Sequence, residues 1–315
     1  MIVFPDVKIN LGLSVLRRRQ DGFHDLETLF VPFRGIHDTL EIIPSDAWSE
    51  TSAGLFEDYS AEQTAQGITP DGKVMITLAR AEGVDWDPLK DLTVKAYQLL
   101  DADFNLPSVK LFLEKNSPVG AGLGGGSADA AYALRALSEL FELGLSDAAL
   151  ASYAARLGSD CAFFIYDRPM IGTGRGEILA PYDGVAVVSD PQAGECLKVG
   201  DESFRIEMVI PEGIAVSTKE AYGGITPREK LFELSDSPRH PLSPVMTPTL
   251  PSLETALALP VELWRYALVN DFEATVFAAH PGLNELKSEL YGRGAVYASM
   301  SGSGAALFGL FPINI

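Results

Sequence analysis

The densest run of residues able to do chemistry is Pro118-Val119-Gly120-Ala121-Gly122-Leu123-Gly124-Gly125-Gly126-Ser127. Glycines without a Cβ let a backbone turn through positive φ and let its N–H groups come close to a ligand. Before the run, the apolar stretch Val109–Leu113 reads as a strand. After it, Ala131, Leu134, Leu137 and Phe141 recur at helical spacing, so Ala128–Phe141 reads as a helix packed on the core. A helix that opens on a glycine loop presents unpaired N–H groups and a positive dipole end, which suits a phosphate. Ser127 can cap that helix or offer its hydroxyl to a metal–phosphate group.

Three other readings of the loop are weaker. A plain flexible turn does not need a strand on one side and a helix on the other. Gly120, Gly122 and Gly125 satisfy GxGxxG, but a dinucleotide fold wants a strand ending in an acid about 20 residues on. Here Asp147–Leu157 repeats the helical pattern instead. A P-loop needs Lys before its Ser/Thr, and Gly126 stands in that place.

The elements that must position this loop are mixed. Val7–Val15 alternates as a strand; Val185–Val188 and Ile206–Ile210 are strand-like runs after Gly172-Thr173-Gly174. A helix is expected around Leu263–His280, and Ala295–Met300 and Ala305–Phe311 flank a Gly-Ser-Gly turn. Without strict strand–helix alternation the pattern favours α+β. Three segments read as insertions or loops: acidic Ser45–Pro88 with a short periodic patch at Val74–Leu78, Asp183–Ser203, and Ser235–Pro251. The last carries five prolines, which a helix interior or central strand does not accept.

Composition sets the outer bounds. The chain's 315 residues suit two domains, and 47% hydrophobic residues suffice for a full core. A formal charge of −19 argues against a nucleic-acid or polybasic membrane binder, while leaving anionic small ligands open. Asp6, Lys8 and Asn10 break any signal-peptide pattern, and no stretch approaches the roughly 20 apolar residues of a span. Cys161 and Cys196 make no disulfide framework, Cys161 reading as a small buried hydrophobe, and four histidines show no metal spacing. The expectation is a soluble cytoplasmic protein with no nucleic-acid or membrane partner.

The glycine run with its following Ala128-Asp129-Ala130-Ala131 resembles the phosphate loop of the GHMP superfamily of small-molecule kinases. Its triple glycine resembles the branch whose acceptor is a cytidine-diphosphate sugar alcohol. Five more segments follow that branch in order. They are Lys8-Ile9-Asn10-Leu11, Asp21-Gly22-Phe23-His24, Leu157-Gly158-Ser159-Asp160, and the C-terminal pair Asn270-Asp271-Phe272-Glu273 and Ser301-Gly302-Ser303-Gly304-Ala305. Departures are Asp6-Val7 before the lysine and Cys161-Ala162 for Val-Pro. The resemblance implies a two-domain α+β fold. Residues 1–178 would form a domain like ribosomal protein S5 domain 2, with the phosphate loop. Residues 179–315 would form a ferredoxin-like domain.

It also implies ATP and Mg²⁺, with Lys8 and Asp160 as the catalytic pair. Lys115, Pro118, Gly120, Gly122, Leu123, Gly124, Gly125, Gly126 and Ser127 would hold the nucleotide; Ser127 is the one metal contact on offer. Asn10 would meet the sugar alcohol, Phe23 would stack on cytosine, His24 would bond the base edge, and Tyr222 would face Phe23 from the opposite side. Asp91 stands where an Asn usually meets adenine or ribose; a carboxylate can only accept there. Alternatives are a mevalonate or homoserine kinase-like member, which has no use for a stacking platform, and a catalytically dead nucleotide binder, which has no need of Lys8 and Asp160. Monomer and homodimer are both open.

Overall fold

In a computed structural model, the structure describes residues 1–49, 58–229 and 251–313. Two compact units interleave along the chain: Met1–Val7, Pro32–Val119 and Gly124–Asp167 form one, and Lys8–Val31, Gly120–Leu123 and Arg168–Ile315 the other. The units therefore do not divide at residue 178. The long second strand and the glycine loop each contribute to both.

In the first unit a five-stranded sheet has β1 (Ile2–Val3), β4 (Thr39–Pro44), β7 (Val109–Lys115), β6 (Val74–Arg80) and β5 (Thr64–Ile68) side by side in that order. β6 and β7 run parallel, so a crossover must join them, and α1 (Leu92–Phe104) is part of it. Asp91 starts that helix: its carboxylate accepts from the Thr93 backbone and hydroxyl, and the Trp86 indole donates to it. Its acceptors are thus spent on a cap. α2 (Gly125–Leu140), α3 (Asp147–Leu157) and α4 (Cys161–Tyr166) complete the unit. Ser146 caps α3 through the Ala149 amide. α2 buries Ala130, Ala131, Leu134 and Leu137, the apolar stripe visible in the sequence.

Two expected insertions are sheet instead. The acidic stretch supplies β5 and β6, with Val74, Ile76 and Leu78 fully buried. Asp183–Ser203 supplies β10 (Val185–Asp190) and β11 (Gly194–Val199), which pair antiparallel. They extend the second unit's five-stranded sheet in the order β10, β11, β12 (Glu202–Val209), β14 (Leu307–Pro312), β13 (Tyr297–Met300). Of the proline-rich stretch, residues 235–250 lie outside the described residues, as do 50–57 of the acidic one.

A four-stranded sheet joins β2 (Asp6–Arg18), β3 (His24–His37), β8 (Met170–Thr173) and β9 (Ile178–Pro181). The second unit's helices are α5 (Thr218–Gly223), α6 (Leu253–Leu257), α7 (Val261–Ala267), α8 (Phe272–Ala279) and α9 (Pro281–Gly292). The single helix expected over Leu263–His280 is two, broken at 268–271. There the chain turns to dock on β2, with Leu13 donating to the Val269 carbonyl and Asp271 to that of Leu13. Among the described residues no helix is long and apolar enough to cross a membrane.

Candidate active site

Strand β2 carries alternating residues into a polar spot that is nonetheless buried. Lys8, Asn10 and Thr28 are each 2% exposed or less. The Lys8 ammonium donates to Asn10 Oδ1 at 2.6 Å and to the Gly122 carbonyl at 2.7 Å. Asn10 Nδ2 donates to Thr28 Oγ1 at 3.0 Å, and that hydroxyl donates to the Gly12 carbonyl. The ammonium also lies 5.7 Å from the centroid of the Phe30 ring. A cation this buried is tolerated because its donors are matched.

The glycine-loop segment 120–123 is tied down within the same unit. Lys8 N donates to the Leu123 carbonyl at 2.9 Å and Ala306 N to that of Ala121 at 3.1 Å, while the Ser301 hydroxyl donates to that of Gly122. Gly120, Gly122 and Gly124 all have φ near +75°. At Gly122 a Cβ would overlap the Ser301 carbonyl oxygen and the Gly304 amide, so glycine is required twice over.

The C-terminal motif explains why Ser301 is where it is. Asn270 Nδ2 donates to the carbonyls of Met300 and Gly302, and its Oδ1 accepts from Phe272 N. Glu273 accepts from Met300 N and the Ser299 hydroxyl, and from Lys287 at 2.5 Å. Asp271 takes a two-pronged contact from Arg228 and the amide of Val15. Asn270 and Glu273 thus clamp the Ser301–Gly304 turn. Their motif was legible in the sequence; this role was not, and Thr28 carried no signal at all.

In the first unit, Gly124 starts α2 with no side-chain cap, so of the two roles open to Ser127 the helix cap is not the one taken. Ser127 instead lies one turn in, its amide and that of Ala128 bonded to Gly124 O. Its side chain hydrogen-bonds with Cys161, whose thiol burial pushes up to about 12, well out of reach of reaction. Pro118 is half-buried before the loop, and a Cβ on Gly126 would meet nothing. Asp160 precedes α4 but makes no side-chain cap bond to it, so helix capping is not its task.

Lys115 differs most from expectation. Its ammonium contacts Asp38 Oδ2, Asp129 Oδ2 at 2.6 Å and Ser117 Oγ at 3.0 Å, with the side chain 4% exposed. Asp38 also accepts from the amides of Asn116 and Ser117. Burial drives Asp129 well above the usual carboxylate range, more than Lys115 can offset. Burial would likewise lift Asp38, but Lys115 and the Ser117 bonds hold it low. All three ammonium donors are spent behind the loop, where the cluster braces the start of α2.

The loop expected to read a base is braced by contacts of its own. The His24 ring stacks on Tyr222 at 4.9 Å and 23°, and Tyr222 sits edge-on to buried Phe272 at 4.7 Å. Tyr222 therefore braces His24. Burial, then Arg18, lowers the His24 pKa, leaving a neutral imidazole at neutral pH. Phe23 is 54% exposed, and the guanidinium over its ring, 5.0 Å from the centroid, belongs to Arg175.

Comparison with known proteins follows the same lines. A family model for the GHMP kinases N terminal domain matches residues 91–168, and one for the GHMP kinases C terminal matches 253–312. A 4-diphosphocytidyl-2-C-methyl-D-erythritol kinase of Bacteroides thetaiotaomicron is 39% identical over 311 residues, covering 99% of this chain and 92% of that one. The chain belongs to this kinase family. The like-named protein of Nitratidesulfovibrio vulgaris is 34% identical over 96% of this chain and 87% of its own. A crystal structure of a 4-(cytidine 5'-diphospho)-2C-methyl-D-erythritol kinase superposes with TM-score 0.65 at 28% identity, covering 98% of this chain and 90% of that one. A Methanococcus jannaschii mevalonate kinase, 12% identical with TM-score 0.58 over 99% of this chain and 90% of that one, shares the fold. The expected α+β GHMP kinase fold is the one found.

Proposed function

We propose that this kinase moves the γ-phosphoryl group of ATP to the 2-hydroxyl of 4-diphosphocytidyl-2-C-methyl-D-erythritol, a step of the non-mevalonate isoprenoid route in the cytoplasm. One observation carries most weight: the Lys8 ammonium is bonded to the glycine loop itself, through Gly122 O. A fixed cation at a phosphate-binding loop stabilises charge that builds on transferring oxygens without reorganising.

Asp160 takes the proton that the attacking hydroxyl releases late in transfer, and Lys8 offsets charge building on the transferring oxygens. The opening amides of α2 face the triphosphate, and Asn10 orients the acceptor. His24, neutral, can both donate and accept at a pyrimidine edge. Among the described residues no three His, Cys, Asp or Glu side chains gather into a metal cage. Ser127 would be the residue to meet a phosphate-bound Mg²⁺, whose charge would offset that building on the transferring oxygens.

The test is ATP turnover with the cytidyl substrate, mevalonate and homoserine side by side. Turnover of the first alone supports this reading; turnover of mevalonate or homoserine at a comparable rate overturns it.

A further inference from the structure

Phe23 and His24 are neighbours in the chain, yet each is braced by a different element. His24 leans on Tyr222 of α5. Phe23 leans on Arg175, at the turn between β8 and β9, and nothing in the kinase motifs assigns that arginine a role. The turn is well fixed. Gly174 and Gly176 take φ of +68° and +109°, Gly176 N donates to Thr173 O, and Leu26 N donates to Gly174 O at 2.7 Å. The last bond ties the turn to β3, two residues beyond His24. Glu177 accepts from Arg175 N and, at 3.4 Å, from Arg175 Nε, so backbone and guanidinium are aimed by one carboxylate.

On the other side, the Phe23 backbone is held by Asp21 Oδ1 at 3.1 Å and by the Arg19 amide at 2.8 Å, but its ring is more than half exposed. An exposed phenyl on a loop has two rotatable bonds and no packing to choose among their settings. A guanidinium over one face supplies that choice, through the attraction of a cation for the ring's negative face. Arg17 and Arg19 cannot substitute, since both are paired with Asp25, and Arg19 with Asp21 as well.

We propose that Arg175 is a positioning residue for substrate specificity: it covers one face of Phe23 and thereby sets the ring's other face to receive the pyrimidine of a cytidine diphosphate ligand. This rests on the cytidyl-kinase reading and adds a residue to it. Lysine retains a cation but not a flat one, and alanine retains neither, so the two variants grade the effect.

The experiment uses the full chain. Arg175→Ala, Arg175→Lys, Phe23→Ala and the Phe23→Ala/Arg175→Ala double variant are compared by calorimetric titration with CDP and by steady-state kinetics. Arg175→Ala should weaken CDP binding and raise KM for the cytidyl substrate about fivefold. Arg175→Lys should recover most of that, with kcat and KM for ATP unchanged within twofold in the two single Arg175 variants. In the Phe23→Ala background, removing Arg175 should cost nothing further. Additive losses, or an unchanged CDP affinity in Arg175→Ala, overturn the proposal. Because CDP titration needs no turnover, an unaltered chain that binds CDP but does not phosphorylate the cytidyl substrate would sink the kinase assignment while leaving this role to be judged on binding.

Discussion

The Lys8 ammonium donates to the carbonyl oxygen of Gly122 across 114 residues of chain, at 2.7 Å. The cation and the 120–123 segment of the glycine loop are thereby one piece of the second unit. Lys8→Met keeps the stem and removes the charge. It should lower kcat by about 10²–10³-fold with KM for the cytidyl substrate changed little, measured by steady-state kinetics at saturating ATP.

The loop glycines should respond in graded fashion. Gly122→Ala combines positive φ with a Cβ that would overlap Ser301 O, so both ATP turnover and stability should fall. Gly120→Ala faces open space and should cost only its strained φ, about 1 kcal/mol. Gly126→Ala meets nothing and lies in a helix, so it should gain up to about 1 kcal/mol of stability. If its amide approaches phosphate, it should nevertheless weaken ATP binding. Thermal melts with and without ATP separate the two effects.

How much of this was open to reading from residues alone depends on how far apart the partners lie. The glycine loop announced itself, and so did α3, whose Ser146 cap and apolar spacing are local. β6 did not: Val74–Leu78 is too short to be told from a patch until β7 lies beside it. The break at 268–271 was hidden because an apolar helical period runs through it. What interrupts the helix is Asn270 turning to carbonyls 30 and 32 residues away. Likewise Lys115 has the sequence neighbourhood of a nucleotide contact, while its partner Asp38 is 77 residues back.

Asn270→Ala should destabilise the fold by about 2–4 kcal/mol, because two buried carbonyls lose their donor at once. Denaturant titration measures this directly. Asn270→Asp should be no better, since it sets a carboxylate against both oxygens.

Asp6 gives a pH signature. Burial, followed by the neighbouring Asp167 carboxylate, pushes its pKa up from 3.8 to about 7, against the Tyr132 hydroxyl that donates to it and the Arg34 guanidinium. A raised folded value means a stabilising contribution present in full below 3.8 and lost as pH rises through about 7. Asp6→Asn should therefore be more stable than the parent at pH 8, by up to about 4 kcal/mol, with the difference closing towards pH 4. Melting temperatures across that range decide it.

His24 has the opposite sign. With its pKa lowered below the ordinary 6.5, the imidazole is mostly neutral at neutral pH and above. KM for the cytidyl substrate should stay flat between about pH 8 and pH 7.5 and rise as the solution turns acid. His24→Gln should raise KM about tenfold and abolish the acid rise.

The most direct measurement is single-turnover phosphoryl transfer by Asp160→Asn, with ATP affinity measured on the same preparation. Loss of at least about a thousandfold in the transfer rate, with ATP binding unchanged within threefold, is the predicted outcome. Transfer within tenfold of the parent rate would show that Asp160 does not take the proton, and would contradict the account.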